Sequence, residues 1–373
     1  MKILHITPIL IARGGFSRGH LDLAKELNKH DFESVFAIPE ERGTALVMEK
    51  NDFKYYPINV KFIPGYFSIS FEKSVKINLK DIINKEKPDV ILFEPSVAKI
   101  VMSVIKNNDF NIKTLMWDKS PPTDRTIIGR LHWHRWTRIW KNLPDGINLI
   151  MCQSEPHVNF VKGMTKKYSS NFIVMENGVD VNQFIHKNGI IKNPKKIVYC
   201  GTISKVRGVM SLIKSGEILE NMNIDFEIHF LGRGSELKKL KSIEHKYQWL
   251  NIHGFLDEEQ FQKHLSEAAI GVVPHPYFKC WELCSSLKLR EYAAISSVVV
   301  ARDLEVHRSF KDQEWMYLSK REGDDNLSLA IAIKAALQDK LILNKGKIAR
   351  SFAEENFTYE RQTFELVNWL TRI

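Results

Sequence analysis

The run Ser285-Ser286-Leu287-Lys288-Leu289-Arg290-Glu291-Tyr292-Ala293-Ala294 lies between two short apolar stretches, Ile270-Gly271-Val272-Val273-Pro274 and Val298-Val299-Val300-Ala301. Apolar runs of that length with a helical segment between them read as strand, helix, strand. Ser285 and Ser286 are natural N-caps for the helix. A helix start offers unpaired N–H groups and the positive end of the macrodipole, which suits a phosphate. Glu291, about a turn and a half in, can accept hydrogen bonds from sugar hydroxyls. A phosphate cradle beside a carboxylate is what a nucleotide needs, although a capped helix with a solvated glutamate fits the same letters.

Working outward, strands and helices alternate along most of the chain. Residues 3–8, 34–38, 90–93, 113–116 and 149–152 read as strands, with an amphipathic helix over 17–27 after Gly14-Gly15. The pattern restarts with strands at 196–200, 226–231, 251–253, 271–273 and 298–301, and helices at 210–219 and 235–241. Such alternation gives parallel α/β sheets with ligands at the strand C-termini. Two successive sets in 373 residues imply two Rossmann-like domains facing each other across a cleft. The expected domains are 1–185 and 186–352, joined in the polar stretch 186–195. A helical segment, 353–373 with a break near Phe357-Thr358, is expected to pack back on the first domain.

Bulk composition narrows the function. A hydrophobic content of 44% with 26% charged residues is that of an ordinary globular chain. No apolar run is long enough to span a bilayer, and the N-terminus lacks the pattern of a signal peptide, so a cytoplasmic location is expected. Cys280 and Cys284 form a lone CxxxC, and no zinc-ligand spacing accompanies it, so no metal is expected. The net charge of +10 points to an anionic partner: nucleic acid, an acidic membrane surface or phosphorylated substrates. The basic residues are dispersed and show no nucleic-acid-binding motif, which sets nucleic acid aside.

Four segments, in order and correctly spaced, resemble the retaining glycosyltransferases of GT-B fold, glycosyltransferase family four. Gly14-Gly15-Phe16-Ser17-Arg18-Gly19 resembles that family's N-terminal Gly-Gly loop. Met175-Glu176-Asn177-Gly178-Val179-Asp180, with Phe184, resembles its signature before the linker. Gly201-Thr202-Ile203-Ser204-Lys205-Val206-Arg207-Gly208 resembles its phosphate loop, and Ser286–Tyr292 a common form of its Glu-x7-Glu region. The resemblance implies transfer of a sugar from a nucleotide-diphosphate sugar, as co-substrate, to a glycan or lipid-linked acceptor in envelope polysaccharide or glycolipid assembly, with no metal or other cofactor.

The resemblance also distributes roles. Gly14, Gly15 and Gly201 would let the backbone approach the donor phosphates. Arg207 and Lys205 would stabilise the departing diphosphate, with Lys288 as a further source of charge, because Thr202 stands where the family has arginine. Ser286, Leu287, Lys288 and Glu291 would hold the donor, Glu291 at its ribose. Strict x7 spacing lands on Leu283, so Glu282 is the candidate for the transferred sugar. Gly232, Gly234, His253 and Phe255 match strand ends that read the base. Trp117 stands where relatives have a histidine. For Asp118, help to the acceptor and capping of the next turn are equally open. His20 reads as a helix-face residue.

One further segment is ambiguous. On a helical wheel over 130–143, Trp133, Trp136, Ile139, Trp140 and Leu143 face one way, and Arg130, His134, Arg138 and Lys141 the other. Core packing of the tryptophans is the favoured reading. Contact with an anionic membrane at the inner face is the alternative, supported by Lys61, Lys73, Lys76 and Lys80. Competing functions are a sugar-nucleotide 2-epimerase and a non-catalytic nucleotide-sugar or glycan-binding protein. A metal-dependent GT-A transferase is disfavoured, since Asp324-Asp325 lies in a late polar loop.

Overall fold

The structure is a computed structural model that describes residues 1–13, 19–63, 65–119, 121–123, 126–165, 168, 171–185 and 189–373. It divides into two compact units, Met1–Glu176 with Thr363–Ile373, and Asn177–Gln362. The packing boundary thus falls at 176/177, ahead of the polar stretch where the sequence suggested the join. The first half of the Asn-Gly-Val-Asp segment explains why: Asn177 Nδ2 donates to the carbonyl of Ser285 and the Val179 N–H donates to that of Phe357, both deep in the second unit.

In the first unit, β1 (Lys2–Ile6), β2 (Glu33–Pro39), β3 (Lys54–Ile58), β4 (Val90–Phe93), β5 (Lys113–Asp118), β6 (Leu149–Cys152) and β7 (Phe172–Val174) form one parallel sheet, ordered β3-β2-β1-β4-β5-β6-β7. The last residues of the chain belong here, with Leu366 and Leu370 buried in the cluster that holds Ile3, Leu92 and Trp117. In the second unit, β8 (Asn193–Cys200), β9 (Glu227–Leu231), β10 (Leu250–Gly254), β11 (Ala268–Val273), β12 (Val298–Arg302) and β13 (Met316–Ser319) are also parallel, ordered β10-β9-β8-β11-β12-β13. Central strands are apolar on both faces because helices cover both sides; Val90–Phe93 and Val298–Arg302 are buried throughout.

Each sheet reverses its winding beside its first strand, between β1 and β4 and between β8 and β11. At such a switch point the connections leave toward opposite faces, and a crevice opens at the strand C-termini. The residues at those two ends are therefore where chemistry is to be sought. The helix over Leu287–Ala294 reaches the second of them because Gly271 on β11 has no side chain. A Cβ there would lie 2.2 Å from the ring of Tyr292. The Tyr292 hydroxyl in turn accepts from the N–H of Cys200, at the end of β8.

Among the described residues no helix is long and apolar enough to cross a membrane. The chain ends in two helices, Ile342–Asn356 and Tyr359–Leu370, broken at Phe357-Thr358 as the sequence suggested.

Candidate functional site

At the C-terminal edge of the second sheet, three strand-end loops lie on one another. The Gly201 N–H donates to the Leu231 carbonyl at 2.8 Å, and the Gly232 N–H to that of Gly254 at 2.6 Å. Gly232 has φ +137°, and a Cβ on it would sit 2.0 Å from the Gly201 carbonyl oxygen, so only glycine fits. Gly234 packs as closely on Ile203. Thr202 is exposed and its carbonyl accepts from the Tyr199 hydroxyl. Gly14 and Gly15 lie outside the described residues.

Lys288 and Glu291 come from one helix turn facing this edge. The Lys288 ammonium sits over Gly201, where a Cβ would meet Nζ at 2.8 Å. Burial and the nearby Arg207 guanidinium pull its pKa down to about 8. Burial pushes Glu291 up to about 7, against the opposing pull of Lys288 and a 3.9 Å contact from the Cys200 thiol. Among the described residues neither charge has a full set of partners, and both are held where strand β8 ends. Leu287 opens the helix, half-buried.

The capping differs from the sequence reading. Ser286 occupies the N-cap position, but its hydroxyl makes no cap bond. It is buried with no hydrogen-bond partner among the described residues. Ser285 instead accepts from Arg290 Nε at 3.3 Å, which ties the helix back on itself. The unpaired Ser286 hydroxyl at a helix start therefore suits an incoming acceptor atom such as a phosphate oxygen.

Arg207 stacks on Trp281, with its guanidinium carbon 5.2 Å from the ring centroid. Trp281 is fixed by a bond from its indole N–H to the Val206 carbonyl at 2.9 Å, and it stacks on His275 at 4.1 Å. Desolvation first, then Lys288, Arg207 and His307, keep His275 neutral. Lys205, in the same loop, is exposed. At the neighbouring strand ends the exposed Phe255 ring carries the Arg233 guanidinium at 4.4 Å.

Two sequence candidates are placed differently from expectation. Glu282 lies in a short helix, Lys279–Leu283, and is buried. Its Oε2 accepts from the Glu305 N–H at 2.6 Å, while its Oε1 faces Arg321 Nη2 at 2.9 Å without a hydrogen bond. The His253 ring turns to His229, with Nε2 2.9 Å from His229 Nδ1, and packs on His264. A register shift between Ile252 and Gly254 makes His253 the extra residue of a bulge, which re-aims its side chain.

In the first unit, the switch point gathers groups the sequence did not single out. Glu94 follows β4 and accepts from the Thr7 hydroxyl, which follows β1. His20 lies on the buried face of the helix Gly19–Asn28, as a helix-face residue, with Nε2 3.4 Å from Glu94 Oε1. Burial keeps it neutral, with the Lys119 charge acting the same way. Lys119 reaches over the Trp117 ring at 4.8 Å. Burial raises Glu94 to about 7 and lowers Lys119 to about 8, so Glu94 is partly protonated near neutrality while Lys119 is still mostly charged. Asp118 points away from this group: its Oδ2 accepts 2.8 Å bonds from the indoles of Trp136 and Trp140.

No family model matches the chain, and no curated protein matches its sequence. Solved structures do match. A glycosyltransferase from Rickettsia africae superposes with a TM-score of 0.74 at 14% identity, over 99% of this chain and 98% of that one. HepE of Anabaena, in complex with UDP and glucose, gives 0.73 at 12% identity over the whole of both chains. A TarM variant of S. aureus, in complex with fondaparinux, alpha-GlcNAc-glycerol and UDP, gives 0.73 at 13% identity over 98% of this chain and 99% of that one. The fold is GT-B.

Within the GT-B fold, sequence reasoning located the helix bearing Lys288 and Glu291 and the loop bearing Arg207. It missed Glu94, Lys119, Thr7 and Arg233. A strand-end position would have found the first three: each directly or closely follows an apolar run, where a parallel sheet puts its ligand groups. Arg233 had a weaker signal, a cation between two glycines after a strand.

Proposed function

We propose that the chain is a retaining, metal-independent glycosyltransferase of family-four type, using a UDP- or GDP-type sugar donor. The observation that supports this most is the cluster at the end of β8, where Lys288, Glu291 and the unpaired Ser286 hydroxyl of one helix meet the Gly201 loop and Arg207. Arg207 and Lys288 neutralise the diphosphate. Ser286 and the helix N–H groups take its oxygens. Glu291 takes the ribose hydroxyls, and Phe255 with Arg233 offers a flat face to the base. In the reaction the bond from the anomeric carbon to the diphosphate breaks with its electron pair leaving on phosphate. A new bond forms from that carbon to an acceptor hydroxyl oxygen on the same face, and the hydroxyl proton passes to an oxygen of the departing diphosphate. Stabilising the charge that develops on the diphosphate is the main catalytic task, and Lys205 and Arg207 carry it.

The first unit supplies the acceptor side in this reading. Glu94, raised to about 7 by burial and hydrogen-bonded by the Thr7 hydroxyl, is the first unit's candidate for contact with the acceptor, a role first considered for Asp118. Asp118 acts as a positioning residue through the two tryptophans. A lipid-linked acceptor is favoured by Ile127, Ile128 and Leu131, exposed beside Arg130 and Arg138.

The test is a thermal-shift panel of UDP-, GDP-, ADP- and CMP-sugars, with and without Mg²⁺. One donor class is expected to stabilise the protein without metal. Glu291→Ala should lower that donor's affinity about fivefold, the loss of one net hydrogen bond of ~1 kcal/mol. No shift with any donor, or a shift that requires Mg²⁺, sinks the reading.

A further inference from the structure

His229 on β9, His253 on β10 and His264 on the helix Glu258–Glu267 converge in the second unit. One ligand nitrogen from each lies within 4.8 Å of the others. We infer that these three imidazoles form a binding site for a divalent transition metal ion of the zinc type. The inference rests on this side-chain cluster alone and stands whether or not the chain transfers sugars.

The hydrogen-bond partners decide which nitrogens carry lone pairs. Glu227 Oε2 lies 3.0 Å from His229 Nε2, so that nitrogen donates and Nδ1 turns a lone pair toward His253. A carboxylate behind a ligating histidine is the usual partner that fixes its ring and tautomer. Lys196 Nζ lies 3.1 Å from His264 Nδ1, and an ammonium only donates, so this nitrogen too presents a lone pair. The remaining N–H is on His253 Nε2, donated to His229; it moves to that ring's other nitrogen when a metal takes its place. Neutral imidazole is the form a metal needs.

The geometry needs only side-chain rotation. Tetrahedral zinc with bonds of about 2.0–2.1 Å sets its donor atoms roughly 3.3 Å apart. The 2.9 Å separation of His229 and His253 opens slightly, and the partly exposed His264 closes in. Lys196 competes for His264 Nδ1 and, once displaced, keeps its 2.6 Å ion pair with Glu267. Three imidazoles leave a fourth position for water. The bulge at His253 supplies one ligand, and the ion would join β9, β10 and the helix leading from β10 to β11. Gly232–Gly234 and Gly254–Phe255 are the loops that leave those same two strands, so the metal would brace the platform beneath them.

The experiment uses the full, tag-free chain, stripped with a chelator and titrated with Zn²⁺ and Co²⁺. One equivalent of Zn²⁺ is expected to bind, and Co²⁺ to show the intense visible bands of tetrahedral nitrogen ligation. His264→Ala, on a partly exposed helix face, should abolish both signals while keeping the circular dichroism of the parent. Glu227→Gln should weaken binding about ten- to a hundredfold. Lys196→Met should strengthen it, because the competing ammonium is gone. No stoichiometric uptake by the parent, or uptake unchanged in His264→Ala and His253→Gln, overturns the site and leaves a proton-sharing histidine network.

Discussion

Lys288 and Glu291 are charged groups held under conditions that suit neither, and this gives the proposed donor site a pH dependence. With its pKa near 8, Lys288 is only partly protonated a little above neutrality. A bound diphosphate favours the charged form, so binding should draw in a proton. Donor affinity should therefore fall as pH rises through about 8, and calorimetry in buffers of different ionisation enthalpy should show proton uptake there. Lys288→Met should lose that uptake; an unchanged profile in the variant would assign the titration elsewhere. Arg207 belongs to the same argument. Its guanidinium is preorganised by stacking on Trp281, and in the proposed reaction it would meet the charge that grows on the leaving group. Arg207→Ala should lower kcat more than donor affinity. Equal losses in both would make it a simple binding residue.

At the scale of elements, the helix Ile127–Lys141 resolves the ambiguity of its sequence in a divided way. Trp136 and Trp140 are buried, and Trp133 and Ile139 pack against the same core, so the tryptophan face is an inward face. The Thr126 side chain caps the helix at the Gly129 N–H. Asp118 explains why indoles rather than leucines stand here: one carboxylate oxygen anchors two N–H groups that would otherwise be buried unpaired. The first turn, however, exposes Ile127, Ile128 and Leu131, while Arg130, His134, Arg138 and Lys141 face solvent. Arg135 pairs with Glu72 of the helix Phe67–Glu86, which exposes Lys73, Lys76 and Lys80. Binding to vesicles containing phosphatidylserine is expected, weakening steeply with salt, and reduced by Ile127→Asn with Leu131→Asn. Binding indifferent to salt, or equal in the double variant, would refute this surface as a membrane contact.

For the molecule as a whole, buried histidines set the response to acid. His5, His20 and His275 are held well below the ordinary value of 6.5 by burial, and His229, His264 and His307 at about 4. A depressed folded-state pKa gives stability that is complete above the unfolded value and lost as pH falls toward the folded one. Glu94 and Glu291, raised to about 7, act in the opposite sense, since their contribution is lost as pH rises from the carboxylate range toward 7. Six histidines outweigh two carboxyls, so the urea midpoint should drop between pH 6.5 and pH 4. A flat midpoint over that window would mean these histidines are not buried neutral. What the sequence determined by itself was the repeated alternation of strand and helix, because strands covered on both faces must be continuous apolar runs, as at Val90–Phe93 and Val298–Ala301. It also determined the helix of Lys288 and Glu291, whose order of residues is local. Of the four edge strands, β10 was read at 251–253, but β3, β7 and β13 were not legible, since an edge is half-solvated and its residues need not be apolar. Only the tertiary structure decided the partners of Asp118 and Glu282, the inward turn of His20 and the meeting of His229, His253 and His264. Those depend on which strand lies beside which and on a one-residue bulge, and the pairing of distant segments is fixed by packing the whole sheet rather than by any local run of residues.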